Sequence, residues 1–472
     1  MFNFALDMIK RGDIVENVTV EGFAAESKCV ARIEGQVVFI TQSAPGDVVD
    51  LRITKKKKFF LEAVPINYHS FSSFRETPFC SHYGTCGGCK WQHITYDKQL
   101  EFKQQQVEDQ FERIGKLKDY QTDPILGSKK IINYRNKLEY TFTDQRWLTR
   151  EEIQSGDVID RNGLGFHKPG QFDKVLDVEK CFLQPSLSND IRNEVKSLAI
   201  REKIPFYNLR SNEGFLRNLI IRNSNSGEWM VILQVKYENT EWIELILNHI
   251  QSMFSKVTCI YYIINPKNNE SYSDLEAVHF AGKKFLTEKM EGIEFRISPK
   301  SFFQTNSDQA YQLYLKVIEF AHLNKEQVVY DLYSGTGTIA NFLAKYAKKI
   351  IGLEYIKEAV EDAKTNAAVN KIGNTYFEEG DIAKIFNEDL LMEHGKVDVI
   401  ITDPPRAGMH KDVIKSILLA DPERIVYISC NPGTQARDIE LLGEKYKLIK
   451  TQAVDMFPHT HHIENIALLE RL

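Results

Sequence analysis

The amino-acid sequence predicts an α/β protein in which a doubly wound, mostly parallel sheet follows a small β-barrel and a β-rich middle region. The chain has 472 residues, which is more than a single hydrophobic core usually holds. Short strand-like runs separated by turns occupy residues 10–65. Beyond residue 328, apolar strands alternate with helical stretches. These observations predict several domains, with the parallel sheet at the C-terminal end.

Four apolar runs in the C-terminal region each lead into a polar side chain. These side chains are Asp331, Glu354, Asp403 and Cys430. Helical stretches such as 357–370 lie between the runs. Buried strands that alternate with helices predict a parallel sheet, and ligands bind beyond the carboxyl ends of its strands. We therefore expect the four side chains to share one ligand-binding edge.

The regions before this sheet are rich in β-structure. Residues 10–65 contain about five short strands, which favours a small barrel. The basic run from Lys55 to Lys58 is either a solvated strand end or a site that attracts a polyanion. From about 125 to 285, strands such as Lys137–Phe142 predict a β-rich domain whose topology the sequence does not define.

Composition and charge are those of an ordinary globular protein, with 43% apolar and 26% charged residues. No apolar run is long enough to cross a bilayer, and Met1–Arg11 lacks the pattern of a secretory leader. We therefore expect a cytoplasmic protein that does not bind membranes. The net charge of −5 argues against a surface that is basic throughout, but it allows a local basic face.

A glycine turn and an acidic residue indicate a nucleotide-like cofactor. Gly335 and Gly337 follow the first strand, where they let the backbone turn sharply and approach a ligand. Glu354 ends the next strand, and an acid at this position can hold ribose hydroxyls. NAD and S-adenosylmethionine both carry adenosine. Because the third glycine of the dinucleotide fingerprint is absent, S-adenosylmethionine is favoured.

A cysteine and a glutamate near the C-terminus are candidates for chemistry. Cys430 follows an apolar strand and precedes Asn-Pro, so the chain leaves the sheet there and the thiol can face a ligand. Glu464 precedes the last apolar run, 466–469. If that run is an antiparallel strand, it starts at the edge where the parallel strands end, opposite Cys430. The alternatives are a buried structural cysteine and a surface carboxylate.

Four of the seven cysteines have the spacing of a metal site. They are Cys80, Cys86, Cys89 and Cys181. Four thiolates can bind zinc or an iron–sulfur cluster. Zinc sites more often use two close pairs, whereas this sequence has one close pair, one offset cysteine and one remote cysteine. Spacing alone leaves both metals open.

Taken together, these motifs resemble the RNA (uracil-5-)-methyltransferase family, and in particular its iron–sulfur branch that acts on 23S ribosomal RNA. Residues 429–432 are similar to the family's nucleophile motif and residues 462–464 to its general-base motif. Residues 301–306 resemble its S-F-F-Q-x-N segment. The cysteine spacing resembles that of the branch's [4Fe-4S] ligands.

The resemblance implies a role for each candidate residue. It implies that S-adenosylmethionine is the cofactor and that it is contacted by Gln304, Tyr333, Glu354 and Asp403. It implies one [4Fe-4S] cluster, bound by Cys80, Cys86, Cys89 and Cys181. Cys430 would add to uracil carbon 6 and activate carbon 5 for methylation, and Glu464 would then remove the carbon 5 proton.

The resemblance also implies an architecture. A Rossmann-like class I methyltransferase domain is expected at 291–472, after an OB-like TRAM barrel at 1–68. A central iron–sulfur and RNA-binding region is expected at 69–290. Within it, helix 98–116 has an apolar face and is expected to pack against the catalytic domain.

Three alternative functions compete with the methylation of 23S ribosomal RNA. Within the family, the tRNA branch lacks both the barrel and the cluster, so a uridine of 23S ribosomal RNA is expected instead. An RNA cytosine-5 methyltransferase would carry a cysteine after Asp403-Pro, which is absent here. A non-catalytic RNA-binding protein would not need both Cys430 and Glu464. The enzyme is expected to be a monomer that requires no protein partner.

Overall fold

In the computed structural model, which describes residues 9–472, the first sheet has six strands. They are β1 (Ile14–Thr19), β2 (Gly22–Phe23), β3 (Cys29–Ile33), β4 (Gln36–Ile40), β5 (Val48–Lys56) and β6 (Phe60–Ser70), arranged in the order β1-β5-β6-β4-β3-β2. Alternate residues of β5 face one apolar core, which holds Val49, Leu51 and Ile53. Residues 1–8, which both the expected barrel range and the segment Met1–Arg11 include, lie outside the described residues.

The middle of the chain forms a seven-stranded sheet and several helices. In chain order this part contains α1 (Tyr96–Arg113), β7 (Gln121–Leu126), β8 (Lys137–Thr143), α2 (Arg150–Ser155), β9 (Gly163–Lys168), β10 (Gln171–Asp177), α3 (Leu187–Arg201), β11 (Leu216–Asn223), β12 (Trp229–Val235), α4 (Thr240–Met253), β13 (Val257–Ile264) and β14 (Val278–Gly282). The strand order is β10-β9-β8-β11-β12-β13-β14. Only β12 and β13 of this sheet run parallel, and the topology that the sequence left undefined is therefore a mixed sheet.

The C-terminal part contains the predicted doubly wound sheet. Its elements are β15 (Leu286–Met290), β16 (Ile293–Ile297), α5 (Ser307–Ala321), β17 (Val328–Leu332), α6 (Thr338–Leu343), β18 (Lys349–Glu354), α7 (Lys357–Val369), β19 (Thr375–Glu379), α8 (Ile382–Ile385), α9 (Glu388–His394), β20 (Val399–Thr402), α10 (Lys411–Ala420), β21 (Arg424–Ser429), α11 (Pro432–Leu442), β22 (Tyr446–Val454) and β23 (Glu464–Arg471). The order is β19-β18-β17-β20-β21-β23-β22-β7. The first five strands are parallel, and β23 is antiparallel to both neighbours.

The sheet order creates a crevice beside β17. The chain places β18 on one side of β17 and β20 on the other, so the loops at the carboxyl ends diverge between them. The strands on both sides are buried, which explains their nearly continuous apolar sequences. This is where the polar side chains that follow the strands meet.

Two elements cross the boundaries expected from the sequence. β7 comes from the middle of the chain but pairs in parallel with β22 of the C-terminal sheet. The expected boundary at residue 290 falls in the turn of the β15–β16 hairpin. Helix α1 packs against α11 and β22. No described helix is long and apolar enough to cross a membrane.

Candidate active site

The four side chains expected at the carboxyl edge of the sheet all lie there. Asp331 is the penultimate residue of β17, and Glu354 is the last residue of β18. Asp403 follows β20, and Cys430 follows β21. Because β17 to β21 are parallel neighbours, these positions line one edge on both sides of the crevice.

The turn after β17 is built for close approach by a ligand. Tyr333, Gly335 and Gly337 have φ angles of 66°, 54° and 69°, in the left-handed region that side chains disfavour. A Cβ on Gly337 would lie 2.8 Å from the Cβ of Ala363, so this position has no room for a side chain. Tyr333 adopts this conformation without being glycine, and strain of this kind clusters at functional sites.

Glu354 is fixed beside this turn. Its carboxylate accepts hydrogen bonds from the backbone N–H groups of Gly335 and Ile356, both at 2.9 Å. The backbone thus orients the carboxylate before any ligand arrives, and each oxygen keeps further acceptor capacity. This arrangement suits the recognition of adjacent hydroxyl groups.

Asp331 lies at the expected ligand-binding edge, although the sequence analysis assigned it no specific role. Its carboxyl group is buried, and both oxygens lack a hydrogen-bond partner within the described chain. Burial, with the nearby charge of Asp403, raises the pKa of Asp331 well above its usual value. A buried carboxyl without donors is costly unless a ligand supplies them. Its position directly before the glycine turn was the signal available in the sequence.

The segment that contains Gln304 reaches the same edge. Gln304 is buried, and its backbone carbonyl accepts a hydrogen bond from Asn136 Nδ2 at 2.8 Å. Asn306 caps α5 by accepting from Gln309 N at 3.2 Å. Thr336 Oγ1, in the glycine turn, donates to the carbonyl of Phe302 at 3.5 Å. These contacts bring the segment against the turn after β17.

The loop that begins at Asp403 is held rigidly. The carbonyl of Arg406 accepts hydrogen bonds from Asn431 Nδ2 at 3.1 Å and Thr434 Oγ1 at 3.2 Å. Gly408 has a φ of 79°, and a Cβ there would approach the carboxylate of Asp438 to 2.5 Å. The two prolines between Asp403 and Arg406 further restrict the backbone. The loop therefore presents Arg406 and Asp403 in a fixed position next to α11.

The structure brings Cys430 and Glu464 together. β21 and β23 are antiparallel, and Ser429 pairs with Asn465 in their register. The residue after β21 and the first residue of β23 are therefore neighbours. This confirms that the last strand is antiparallel and starts beside Cys430, as the sequence predicted. Glu464 is buried, and Cys430 is half-buried.

The protonation of this pair is governed by burial and by neighbouring charges. Burial raises the pKa of Cys430 to about 11, and the charge of Glu464 adds to the effect. Burial and Asp403 raise the pKa of Glu464 well above its usual value. The guanidinium of Arg406 opposes both shifts because it favours the charged forms. Arg406 is thus a further candidate that the sequence analysis did not single out.

The side chain of Tyr333 packs toward α10 and α11. Burial raises its pKa to about 12, and the nearby carboxylate of Asp438 contributes. The ring packs against the apolar cluster around α10 and α11. The structure therefore places Tyr333 at the edge of the crevice, with its backbone in the turn and its ring in the wall.

The four spaced cysteines come from segments outside the parallel sheet and line one cavity. This cavity, called here the cysteine cavity, is lined by Cys80, Cys86, Cys89 and Cys181 among others and has a volume of about 910 Å³. Burial raises the pKa of Cys86 to about 11 and that of Cys89 to about 12. Between residues 9 and 472, no three His, Cys, Asp or Glu side chains form a group that could hold a metal ion. The cysteines thus share a cavity without forming a compact single-ion site.

A buried polar network ties the cysteine segment to the loop before Glu464. Lys103 of α1 donates to Asp455 Oδ1 at 2.6 Å, and both side chains are fully buried. Gln99 donates to His459 Nδ1 at 3.2 Å and accepts from its backbone N–H at 2.9 Å. The carbonyl of His459 accepts from Trp91 N at 3.0 Å. The charge of Asp455 compensates the burial of Lys103.

Lys103→Met should destabilise the protein by about 3–5 kcal/mol, because it leaves the Asp455 carboxylate buried without its cation. Urea unfolding of the full chain measures this difference. Lys98→Met on the same helix is the matched control, since the exposed pair of Lys98 with Glu101 contributes about 1 kcal/mol or less. Equal losses for the two variants would contradict a stabilising role for the buried pair.

Family comparisons agree along the whole chain. Residues 281–472 match the family model for tRNA (uracil-5-)-methyltransferase, and residues 11–66 match the TRAM domain. An uncharacterized RNA methyltransferase of Bacteroides thetaiotaomicron is 52% identical over 451 residues, which cover 95% of this chain and 99% of that protein. Another, from Porphyromonas gingivalis, is 47% identical over 460 residues, with 96% and 99% coverage.

A solved structure shares the complete architecture. It is described as the Pyrococcus abyssi tRNA (uracil-54, C5)-methyltransferase in complex with S-adenosyl-L-homocysteine. It is similar to this chain with a TM-score of 0.74 and 29% identity, over 96% of this chain and 100% of its own. The class I methyltransferase fold and the N-terminal TRAM domain predicted from the sequence are therefore confirmed. The chain belongs to the uracil-5-methyltransferase family of RNA methyltransferases, and it is an enzyme that uses S-adenosylmethionine.

Proposed function

We propose that the protein methylates carbon 5 of a specific uridine in 23S ribosomal RNA, with Cys430 as the nucleophile and Glu464 as the base. The observation that carries this proposal is the antiparallel register of β21 and β23, which makes the thiol and the carboxyl group neighbours. Uracil carbon 5 is a poor nucleophile by itself, so it needs covalent activation followed by removal of a proton. The two side chains supply these two functions.

Cys430 begins the reaction by adding its thiolate to carbon 6 of the ring, which moves electron density to carbon 5. When bound, S-adenosylmethionine supplies a methyl group on a positively charged sulfur, and carbon 5 takes this methyl group as the carbon–sulfur bond breaks. Glu464 then accepts the proton from carbon 5. The electrons of that bond restore the double bond between carbons 5 and 6, and Cys430 leaves as a thiolate.

Arg406 assists at the first step. A thiol whose pKa is raised to about 11 is mostly protonated near neutral pH. The cation of Arg406 lowers the pKa of Cys430, whereas Glu464 and Asp403 raise it.

The cofactor is assigned to the crevice beside β17. The proposed contacts are Gln304, Tyr333, Glu354 and Asp403. Glu354 is oriented by two backbone N–H groups and suits the ribose hydroxyls. Asp331 has two buried oxygens without partners, and it is added as a further acceptor for donors on the ligand. Both carboxyl groups flank a turn in which a Cβ on Gly335 would meet no other atom within 4 Å, so the backbone there is open to a ligand.

A tRNA uridine is the second candidate substrate. The Pyrococcus abyssi protein is named for tRNA uracil-54, and it matches 96% of this chain. The expectation that the tRNA branch lacks the barrel therefore loses its force, since a tRNA enzyme is similar along almost the full length. The resemblance of the cysteine spacing to the ribosomal branch is the feature that favours 23S ribosomal RNA.

Mass analysis of RNA from a strain that lacks the gene tests the substrate. We expect 5-methyluridine to disappear from one or two positions of 23S ribosomal RNA and to return when the gene is restored. Restoration with the Cys430→Ala variant is the matched control and should leave the positions unmethylated. Loss of 5-methyluridine from tRNA alone would overturn the ribosomal assignment in favour of the second candidate.

We further propose that Cys80, Cys86, Cys89 and Cys181 bind a [4Fe-4S] cluster. In a cubane cluster each thiolate binds a different iron, so its four sulfur ligands stand farther apart than the ligands of one ion. The support for this assignment is that the four thiols line one cavity. The bound cluster would join the segment around Cys86 to that around Cys181, and we assign it a structural role because methyl transfer moves no net electrons.

Protein purified without oxygen should be brown and contain about four irons per chain. Cys86→Ala should lose the visible absorbance and melt at a lower temperature, because the two segments are no longer joined. Cys259→Ala is the matched control, since Cys259 is buried in β13 and lies outside the cysteine cavity. Colourless anaerobic protein with one zinc per chain would exclude the cluster.

The TRAM domain is assigned to binding the RNA that flanks the target. Lys55 to Lys58 lie at the end of β5 and in the turn that follows, where all four are exposed. The ring of Phe59 beside them is also exposed, and Lys58 lies 5.2 Å from its centre. Cations next to an exposed aromatic ring are typical of contacts to single-stranded nucleic acid. A monomer in the cytoplasm remains the expected state of the enzyme.

A further inference from the structure

The lining of the cysteine cavity includes cations in addition to the four cysteines assigned to the cluster. Five cations line the cavity: Lys90, Arg135, Lys137, Lys168 and Lys180. Glu139 is the one carboxylate among the lining residues, and it pairs with Lys137 at 2.6 Å. The chain as a whole has a net charge of −5. The cavity therefore concentrates positive charge in an acidic protein, which favours a polyanion at this place.

Four of these cations have no carboxylate partner within residues 9–472. They are Lys90, Arg135, Lys168 and Lys180. Several contact aromatic rings instead: Lys168 Nζ lies 4.2 Å from the ring centre of Trp147, and Lys180 Nζ lies 4.8 Å from that of Phe182. Such contacts orient a cation without neutralising it. The four charges thus remain available to phosphate groups.

An exposed aromatic ring stands at the mouth of the cavity. Phe172 lies on the edge strand β10, and 71% of its surface is exposed. Phe166 and Phe182 line the cavity behind it. An exposed phenyl ring gains nothing from water, whereas a nucleic-acid base can stack on it. The combination of aromatic faces with unpaired cations is that of a site for single-stranded nucleic acid.

The cavity lies next to the candidate active site. Thr305, which adjoins Gln304, lines one end of it, as does Thr460, four residues before Glu464. Its volume of about 910 Å³ is at the upper end of the usual range for ligand sites, roughly 300–1,000 Å³. A nucleotide held here would be close in the RNA chain to the uridine that Cys430 attacks.

We propose that the cysteine cavity binds an unstacked nucleotide that flanks the target uridine, with its base on the ring of Phe172 and its phosphate held by Lys168 and Lys180. The inference rests on the proposed methylation of RNA and adds a specificity site to it. A base that must leave the stack to occupy this cavity would restrict methylation to loops or opened segments.

An affinity measurement with altered RNA tests the site. Short single-stranded RNAs with one uridine carry an abasic nucleotide at each flanking position in turn, and binding is measured by fluorescence anisotropy with S-adenosyl-L-homocysteine present. For the unmodified protein we expect a loss on the order of tenfold at one position. Phe172→Ala should bind the intact RNA as weakly as the abasic one. Met253→Ala, an exposed apolar residue outside the cavity, is the matched control and should keep the original pattern.

Crosslinking of the unaltered protein to RNA gives a second readout of the site. This readout depends neither on the folding of a variant nor on methyl transfer. RNA with 4-thiouridine at the sensitive position should crosslink to peptides within residues 166–182. Crosslinks in this segment together with undetectable methylation would refute the proposed function but retain the nucleotide site. Crosslinks confined to other segments, with equal abasic losses for Phe172→Ala and the unaltered protein, would overturn the inference.

Discussion

Cys430→Ala should abolish methyl transfer and leave the affinity for S-adenosylmethionine unchanged. Without the thiol, carbon 6 cannot be attacked and carbon 5 stays a poor nucleophile, so we expect the rate to fall on the order of 10⁴-fold or more. The proposed cofactor contacts are Gln304, Tyr333, Glu354 and Asp403, and the substitution removes none of them. Methylation of purified RNA and calorimetric titration with S-adenosylmethionine measure the two effects separately.

A mechanism-based RNA gives the same prediction a second readout. With 5-fluorouridine at the target, the unmodified enzyme should form a stable covalent adduct, because fluorine cannot leave carbon 5 as a proton does. Cys430→Ala should form no adduct, whereas Cys259→Ala, which removes a buried thiol in β13, should form it normally. Normal turnover by Cys430→Ala would falsify the covalent mechanism.

Glu464→Gln should stop the reaction one step later. Cys430 can still add to the ring and the methyl group can still be transferred, but no base removes the carbon 5 proton. We expect turnover to fall by about 10²- to 10⁴-fold, with a methylated protein–RNA adduct that accumulates. Glu470→Gln, at the other end of the same strand, should behave like the unmodified enzyme. An adduct that lacks the methyl group would place Glu464 before methyl transfer and contradict this role.

The raised pKa values predict how this activity depends on pH. Cys430 must be deprotonated to attack carbon 6, and Glu464 must be deprotonated to act as the base, and burial raises the pKa of each group. kcat/KM should therefore rise with pH through the neutral range. The Glu464→Gln variant should lack the part of this rise that comes from the ionisation of Glu464. A profile that falls over this range would exclude the proposed protonation states.

The effect of Glu464 on stability should have the opposite pH dependence to its effect on activity. Its carboxyl group binds a proton more tightly in the folded than in the unfolded protein, because burial raises the folded pKa. Stability is therefore lost as the pH rises from the unfolded pKa toward the folded one. Glu464→Gln should melt at a temperature at least as high as the unmodified protein at mildly alkaline pH. An inactive variant that folds well would show that activity is lost through chemistry.

The sequence by itself predicted those parts of the site that depend on local pattern. The parallel strands β17, β18, β20 and β21 are short apolar runs that end at or beside a polar residue, and the carboxyl ends of parallel neighbours lie at one edge whatever the details of packing. Asp403 and Cys430 could therefore be placed together before the structure was known. Glu464 followed from one further inference, that the last strand is antiparallel, and the register of Ser429 with Asn465 confirms it. The residue roles themselves stay predictions.

Only the tertiary structure decided the contacts that join distant segments. Lys103 and Asp455 are 352 residues apart, and the burial of a lysine is favourable only where a carboxylate meets it. In the same way, the packing of whole sheets places Cys181 and Cys86 in the lining of one cavity. It places Phe172 and the cations in the same lining. Periodicity encodes which residues of a strand or helix are buried, because it depends on near neighbours. Topology decides which buried or charged side chains face one another, because distant segments come into contact only when the whole domain folds.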